Sequence, residues 1–297
     1  MKKKSMNGSE HRAWAVVSGA CGGVGRELTR RLGAMGVSLV LTGRNAASLD
    51  KLRHAVEGPA VLVKTCIVDF DSATWERDCR MVFSMILEEK PSVLLFFSNA
   101  GYGLFEPYEA TPLCEKASFI QCNIQQHVYL TELLLSSPLK EKLAYVCFTS
   151  SIASVMPLPY FGLYHSAKAF LRTYAQALEE AQKIALDDSY SSVCAKQPVS
   201  QLIKSSDKKR PIQFHYVMPH IVDGTSFYVA PTVKRSKSAL LFSLLRMPFF
   251  NTTPSKVVDA MLNPTEQPTV GLGAVLWERA YRVVRAAFQF TARRCYK

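Results

Sequence analysis

Short, dense apolar runs recur along the first half of the chain, at residues 13–17, 37–42, 60–68, 92–97 and 144–148. Between them the apolar positions fall at helical spacing, as with Leu28, Leu32 and Met35 after the first run and Leu49, Leu52 and Val56 after the second. Runs that stay apolar on consecutive positions suit strands covered on both faces, the habit of parallel sheets. Further helices are predicted over residues 72–89 and 112–135, through Phe170, Leu171, Tyr174 and Leu178, and to residue 262 from a start at Thr253-Pro254-Ser255. An alternating stretch at 212–218 and a short run at 269–273 complete the strands. The alternation predicts an α/β fold, a doubly wound parallel sheet of about seven strands with helices on both faces. In such sheets ligands bind beyond the carboxyl ends of the strands.

No linker divides the chain into compositionally different halves, so one domain over residues 13–273 is expected. Four stretches stand apart from its periodicity. Residues 1–12 read as a basic tail. Residues 187–210 are polar, basic and aperiodic, which predicts a surface insertion. Residues 221–253 are irregular around Leu240-Leu241-Phe242-Ser243-Leu244-Leu245, a patch that suits a lid over a greasy pocket and equally a core helix. Within residues 274–297, Leu276, Ala280, Val283, Val284, Ala287 and Phe288 share one helical face and arginines gather round the other. A basic amphipathic helix of this kind fits peripheral membrane contact, and equally the surface of its own domain or of a partner subunit.

Composition, 48% hydrophobic and 20% charged over 297 residues, permits a large core and excludes a disordered chain. A net charge of +12 invites a nucleic-acid reading. The excess, however, sits wholly in residues 1–12, 196–210 and 271–297, and the remainder is neutral. No nucleic-acid partner is expected. The eight cysteines form no CxxC pair and several lie in apolar runs, as reduced core thiols do. A reducing compartment follows, either the cytoplasm or the cytosolic face of an intracellular membrane. The apolar run after the basic start is too short for a signal-peptide core, and no stretch of about eighteen apolar residues predicts a spanning helix. The six histidines show no ligand spacing, so no metal is expected.

Candidate chemistry gathers at the predicted strand ends. Ser18-Gly19-Ala20-Cys21-Gly22-Gly23-Val24-Gly25 lies where the first strand turns into the first helix. Glycines there let backbone approach a phosphate that the helix N-terminus holds, which makes Ser18, Gly19, Cys21, Gly22, Gly23, Val24 and Gly25 candidate contacts to a dinucleotide. After the second strand, an acidic residue would bind the 2′-hydroxyl of the adenosine ribose, whereas arginine accommodates a 2′-phosphate. Arg44 stands there, favouring NADP over NAD. The fourth strand ends in Asn99-Ala100-Gly101, a turn where backbone and an amide can meet a sugar, and Pro219 ends the sixth.

The stretch SSIASVMPLPYFGLYHSAK, residues 150–168, carries the reactive groups. Tyr164 and Lys168, four residues apart, share a helix face, and Ser151 precedes Tyr164 at a strand end. Residues 156–159 read as the loop between them. A lysine beside a phenol favours phenolate and is expected to lower the phenol pKa from about 10 towards the working pH of a general acid/base. His165 points about 100° round the helix and reads as pocket wall. Asn123 sits midway along a mostly apolar helix, where a polar residue is ordinarily exposed or capped.

In this order and together, the motifs resemble those of the short-chain dehydrogenase/reductase family, from about residue 13 to 225 and more weakly to about 263. The family's T-G-xxx-G-x-G appears as SGACGGVG with Ser18 for threonine, and its N-N-A-G turn as Ser98-Asn99-Ala100-Gly101. Its catalytic asparagine, serine, tyrosine and lysine match Asn123, Ser151, Tyr164 and Lys168. The resemblance implies a Rossmann-type fold and hydride transfer between NADP(H) and a carbonyl carbon. It makes Tyr164 the general acid/base, hydrogen-bonds Ser151 to the substrate oxygen, and sets Lys168 on the nicotinamide ribose. Asn123 would position a water between Lys168 and solvent, and Asp69 matches the acid that contacts adenine.

Within the family the pattern is closest to 17β-hydroxysteroid dehydrogenases and very-long-chain 3-oxoacyl-CoA reductases. Residues 22–27, 151–159 and 164–170 and the Thr253-Pro254-Ser255 phrase carry that likeness. His220 departs from it, standing where the usual Pro-Gly turn has glycine. The N-terminal membrane segment of the microsomal reductases is not seen. The expected function is NADP(H)-dependent interconversion of a ketone and a secondary alcohol on a small apolar substrate of steroid or long-chain 3-oxoacyl type, by a homo-oligomer. The alternative is a catalytically silent NADP-binding scaffold or sensor of the same fold, against which the intact tetrad argues.

Overall fold

The computed structural model of the chain describes residues 12–104, 111–155, 161–186, 196–205, 210–224, 251–265 and 269–270. The apolar runs become β1 (Ala13–Val17), β2 (Ser38–Gly43), β3 (Val63–Ile67), β4 (Val93–Ser98) and β5 (Leu143–Thr149). The alternating stretch becomes β6 (Gln213–Pro219). Between them lie α1 (Gly23–Ala34), α2 (Ala46–Val56), α3 (Trp75–Glu89), α4 (Leu113–Ile120), α5 (Gln126–Leu135) and α6 (Gly162–Leu186). A short α7 (Val199–Leu202) precedes β6. Then come β7 (Ile221–Val222), β8 (Asn251–Thr252), α8 (Pro254–Leu262) and β9 (Thr269–Val270).

Seven strands form one parallel sheet in the order β3-β2-β1-β4-β5-β6-β9. The apolar runs have to be continuous because alternate residues face opposite layers. From β1, β2 and β4, Ala15, Val17, Leu39, Leu41, Leu95 and Phe97 point to one side, packed by Leu28 and Leu32 of α1, Leu49 of α2 and Met261 of α8. Trp14, Val16, Val40, Leu94 and Phe96 point to the other, packed by Val82 and Ile86 of α3, Leu130 of α5 and Leu171 of α6. Every residue of β4 is buried. Each fully buried Leu or Phe of these layers stabilises the fold by roughly 1.5–3 kcal/mol.

Three local features depart from the pattern reading. The expected third strand over residues 60–68 is trimmed to Val63–Ile67, because Gly58 and Val61 pair with each other across a tight bridge. The helix expected over 112–135 is interrupted by a π-helical turn at Gln121–Gln125, between α4 and α5. The two ends of the 221–253 stretch pair in parallel, β7 with β8, a ladder too short for periodicity to show. The patch at 240–245, the loop at 156–159, the tail at 1–11, most of 187–210 and the helix expected in 274–297 lie outside the described residues.

The winding reverses between β1 and β4. From β1 the chain builds outward through β2 and β3; β4, β5 and β6 extend the other way. At such a switch point the connections leaving adjacent strands part and open a crevice at the carboxyl edge.

Candidate active site

A cavity of about 440 Å³ opens along that edge, touching the ends of β1 through β6. Gly19, Cys21, Gly22, Gly23, Val24, Arg44, Asp69, Asn99, Ala100, Gly101, Ser151, Tyr164, Lys168 and Pro219 all line it. Four residues singled out in the sequence do not: Ser18, Gly25, Asn123 and His165.

Ser18 and Gly25 work behind the wall. The Ser18 hydroxyl is buried and accepts the backbone N–H groups of Asn99 at 2.9 Å and Ala100 at 3.0 Å, tying the end of β1 to the turn after β4. Gly19 has φ +64°, and a Cβ there would meet Ala100 Cα at 2.8 Å. A Cβ on Gly25 would fall 2.3 Å from the Gly19 carbonyl oxygen, so helix and turn pack this closely only with glycine. The N-cap of α1, Gly22, brings no side chain, and the first turn carries no acid. Amides of an uncapped helix start remain for an anionic ligand.

The Asn99 amide knits three strand ends together. Its Nδ2 donates to Ser18 O at 3.2 Å and its Oδ1 accepts from the Thr149 hydroxyl at 3.0 Å. Thr149 in turn receives Lys168 Nζ on its carbonyl at 2.8 Å. Periodicity gave no signal for Thr149, because it reads as the last residue of an apolar strand. At the other end of the cavity, Arg44 Nη1 lies 3.3 Å from Asp71 Oδ2. Asp71 was not singled out, although an acid two places after Asp69 was a signal in the sequence.

Ser151, Tyr164 and Lys168 converge at the opposite end. The Ser151 hydroxyl donates to Pro219 O at 3.3 Å and accepts Ala153 N–H at 3.1 Å. Tyr164 is enclosed by Phe119, Ala153, Phe161 and Ala167. This burial pushes its phenol up to about 12, and a hydrogen bond with Ser151 opposes the rise. The phenol is thus raised, not lowered as the spacing of Tyr164 and Lys168 predicts. Desolvation sets the direction, and the Lys168 ammonium, 5.8 Å from the ring centroid, donates to Thr149 O instead. Burial also pushes Lys168 down to about 8.

Asn123 is fully buried rather than exposed. It sits in the π-turn, where its Oδ1 accepts Tyr102 N–H at 3.2 Å and its Nδ2 donates to Phe119 O at 3.1 Å. It touches the reactive corner through Gly101. A Cβ there would lie 2.8 Å from Asn123 Oδ1 and 3.5 Å from Lys168 Nζ. His165 packs against Phe161 and Tyr164 rather than lining the cavity. His220 does line it, accepting Ile221 N–H at 2.8 Å on Nδ1, and burial pushes it down to about 4.

These features fit an elongated ligand with a phosphate at its middle. Glycines 19, 22, 23 and 101 line it with bare backbone, and an arginine and a buried lysine stand at opposite ends.

The sequence model of a family described as short chain dehydrogenase matches residues 13–185. The chain is 28% identical over 168 residues to a very-long-chain 3-oxoacyl-CoA reductase of Pyrenophora tritici-repentis, covering 56% of this chain and 49% of that one. It is 27% identical over 212 residues to a Schizosaccharomyces pombe protein of the same name, covering 66% and 61%. The chain thus spans about half the length of the first of these relatives.

Among solved structures, an alcohol dehydrogenase from the archaeon Thermococcus sibiricus, complexed with 5-hydroxy-NADP, superposes with a TM-score of 0.58 at 22% identity, over 84% of this chain and 88% of that one. A 3-ketoacyl-(acyl-carrier-protein) reductase from Brucella melitensis, complexed with NADH, gives 0.59 at 16% identity, over 87% and 95%. At such identities the likeness is one of fold.

Proposed function

The chain belongs to the short-chain dehydrogenase family of NAD(P)-dependent oxidoreductases, and from that premise we propose that it interconverts a ketone and a secondary alcohol using NADP(H). The observation that carries this is the convergence of Ser151, Tyr164 and Lys168 at one end of a cavity whose other end holds Arg44.

The glycine-lined turn after β1 and the start of α1 hold the pyrophosphate, Arg44 the 2′-phosphate, and Asp69 the adenine. The nicotinamide, when bound, supplies or accepts the hydride. The protein's own residues do the rest. Tyr164 gives its proton to the carbonyl oxygen in reduction; a phenol held near 12 is fully protonated at neutral pH and so is ready as the acid. Ser151 offers its hydroxyl to the same oxygen. Lys168 at about 8 keeps most of its charge at neutral pH and stabilises the phenolate left behind. It also binds the nicotinamide ribose. Asn123, fixed by Phe119 and Tyr102, positions a water that links Lys168 to solvent.

Apolar residues gather beside Tyr164, behind the cavity lining, where Phe119 and Phe161 are joined by Leu104 and Leu163. The names of the relatives, very-long-chain 3-oxoacyl-CoA reductases, are what support an apolar substrate. Steroids and long-chain 3-oxoacyl thioesters are the substrate classes of choice. Initial rates of the purified protein on a panel of apolar and polar ketones, each with NADPH and NADH, test the proposal. It predicts turnover of apolar ketones with NADPH preferred. Turnover confined to small polar carbonyls, or a preference for NADH, would overturn it.

A further inference from the structure

Arg44 and Asp71 face each other across the adenosine end of the cavity. Arg44 follows β2 and Asp71 lies beyond β3, so parallel pairing of the two strands brings the residues side by side although 27 positions separate them. The contact from Nη1 to Oδ2 is 3.3 Å. It is loose and accessible, with the Arg44 side chain 66% exposed and that of Asp71 28%. Asp69 stands beside it, its Oδ1 accepting Asp71 N–H at 3.2 Å. Burial and the Asp69 charge raise the Asp71 carboxyl, and Arg44 opposes them. The guanidinium at this end therefore already has a carboxylate partner, and a second carboxylate lies within reach of anything that binds there.

We propose that Asp71 is a specificity-determining residue for the cofactor. It competes with a ribose 2′-phosphate for Arg44 and so sets how far the site prefers a phosphorylated over an unphosphorylated adenosine. The proposal rests on the NADP reading above, in which Arg44 is the phosphate ligand.

A 2′-phosphate must draw Arg44 away from Asp71 and then settle near two carboxylates. An exposed ion pair gives way for less than about a fivefold loss of affinity. A neighbouring unit charge at salt-bridge range in a water-like dielectric changes affinity by about fivefold for each charge it meets. Removing the Asp71 charge relieves both effects, so the preference for the phosphorylated ribose rises. Because among the described residues the Asp71 side chain hydrogen-bonds only Arg44, the change should leave the fold intact.

The test is calorimetric binding of 2′,5′-ADP and of 5′-ADP to the full chain, to Asp71→Asn and to Arg44→Ala, with no turnover required. The quantity read is the ratio of the two dissociation constants. The proposal predicts that wild type favours 2′,5′-ADP, that Arg44→Ala removes the preference, and that Asp71→Asn raises it roughly five- to twenty-five-fold. A preference that Arg44→Ala removes but Asp71→Asn leaves unchanged or lowers overturns the role of Asp71 while sparing the NADP reading. No preference in wild type and no effect of Arg44→Ala overturns the NADP reading itself, and the proposal with it.

Discussion

Replacing Lys168 with methionine should make the protein more stable and inactive. The lysine side chain is 3% exposed, and burial pulls its pKa from 10.5 to about 8. At about 1.4 kcal/mol per pH unit, holding it charged at neutral pH costs roughly 3 kcal/mol. Methionine fills a similar volume without a charge. Loss of the charged bond from Nζ to Thr149 O offsets about 1.5–2 kcal/mol of the gain, the lower part of the range for such bonds. The net expectation is a stabilisation of about 1–2 kcal/mol at pH 7, a rise of a few degrees in Tm for a chain this size.

The pH dependence isolates the cause. A lysine whose pKa is lowered on folding carries its full penalty below about 8, and the penalty disappears as pH rises to 10.5, where the unfolded chain loses the proton as well. Wild type should therefore gain stability relative to Lys168→Met between pH 8 and 10.5. Tyr164 acts oppositely, since its raised pKa costs stability above pH 10, but both proteins share it and the difference curve cancels it. Chemical denaturation of both proteins from pH 7 to 10.5 measures this. A methionine variant less stable than wild type at pH 7, or a flat difference across the window, would refute the reasoning.

Gly101→Ala should place a methyl 2.8 Å from Asn123 Oδ1, displacing the amide from Tyr102 N–H. The overpacking costs about 1–3 kcal/mol and should lower kcat at least tenfold, read by steady-state kinetics beside a melt. Tyr145→Phe removes the 2.6 Å bond to Met261 O, on the sheet face packed by α8 and away from the cavity. It should cost about 1–2 kcal/mol in urea unfolding and leave the coenzyme Kd unchanged. Asp71→Asn should sharpen the preference for a phosphorylated ribose, as calorimetry with the two adenosine phosphates would show.

The strands were legible because a doubly covered sheet leaves no polar alternation: Val93–Ser98 is apolar up to its final serine and every residue of it is buried. The glycine turn was legible because only glycine satisfies the approach of Gly19 to Ala100 and of Gly25 to Gly19. Features that depend on three dimensions were not. Asn123 reads as an ordinary polar residue on a helix until the π-turn buries it against Phe119 and Gly101. Asp71 gains meaning only when the pairing of β2 with β3 sets it beside Arg44. The phenol of Tyr164 was misjudged because spacing shows the nearby lysine and says nothing of Phe119 and Phe161, whose burial of the ring decides the direction.

The central claim is that Tyr164 transfers the proton while the rest of the cavity binds the coenzyme. Its most direct test is Tyr164→Phe, with NADPH binding followed by fluorescence and turnover followed on the best apolar ketone of the panel. The account predicts a Kd for NADPH within about twofold of wild type, since the lost hydroxyl bonds Ser151, and turnover lost by at least a thousandfold, within the range of acid–base catalysis. Turnover equal to wild type in the phenylalanine variant would contradict it.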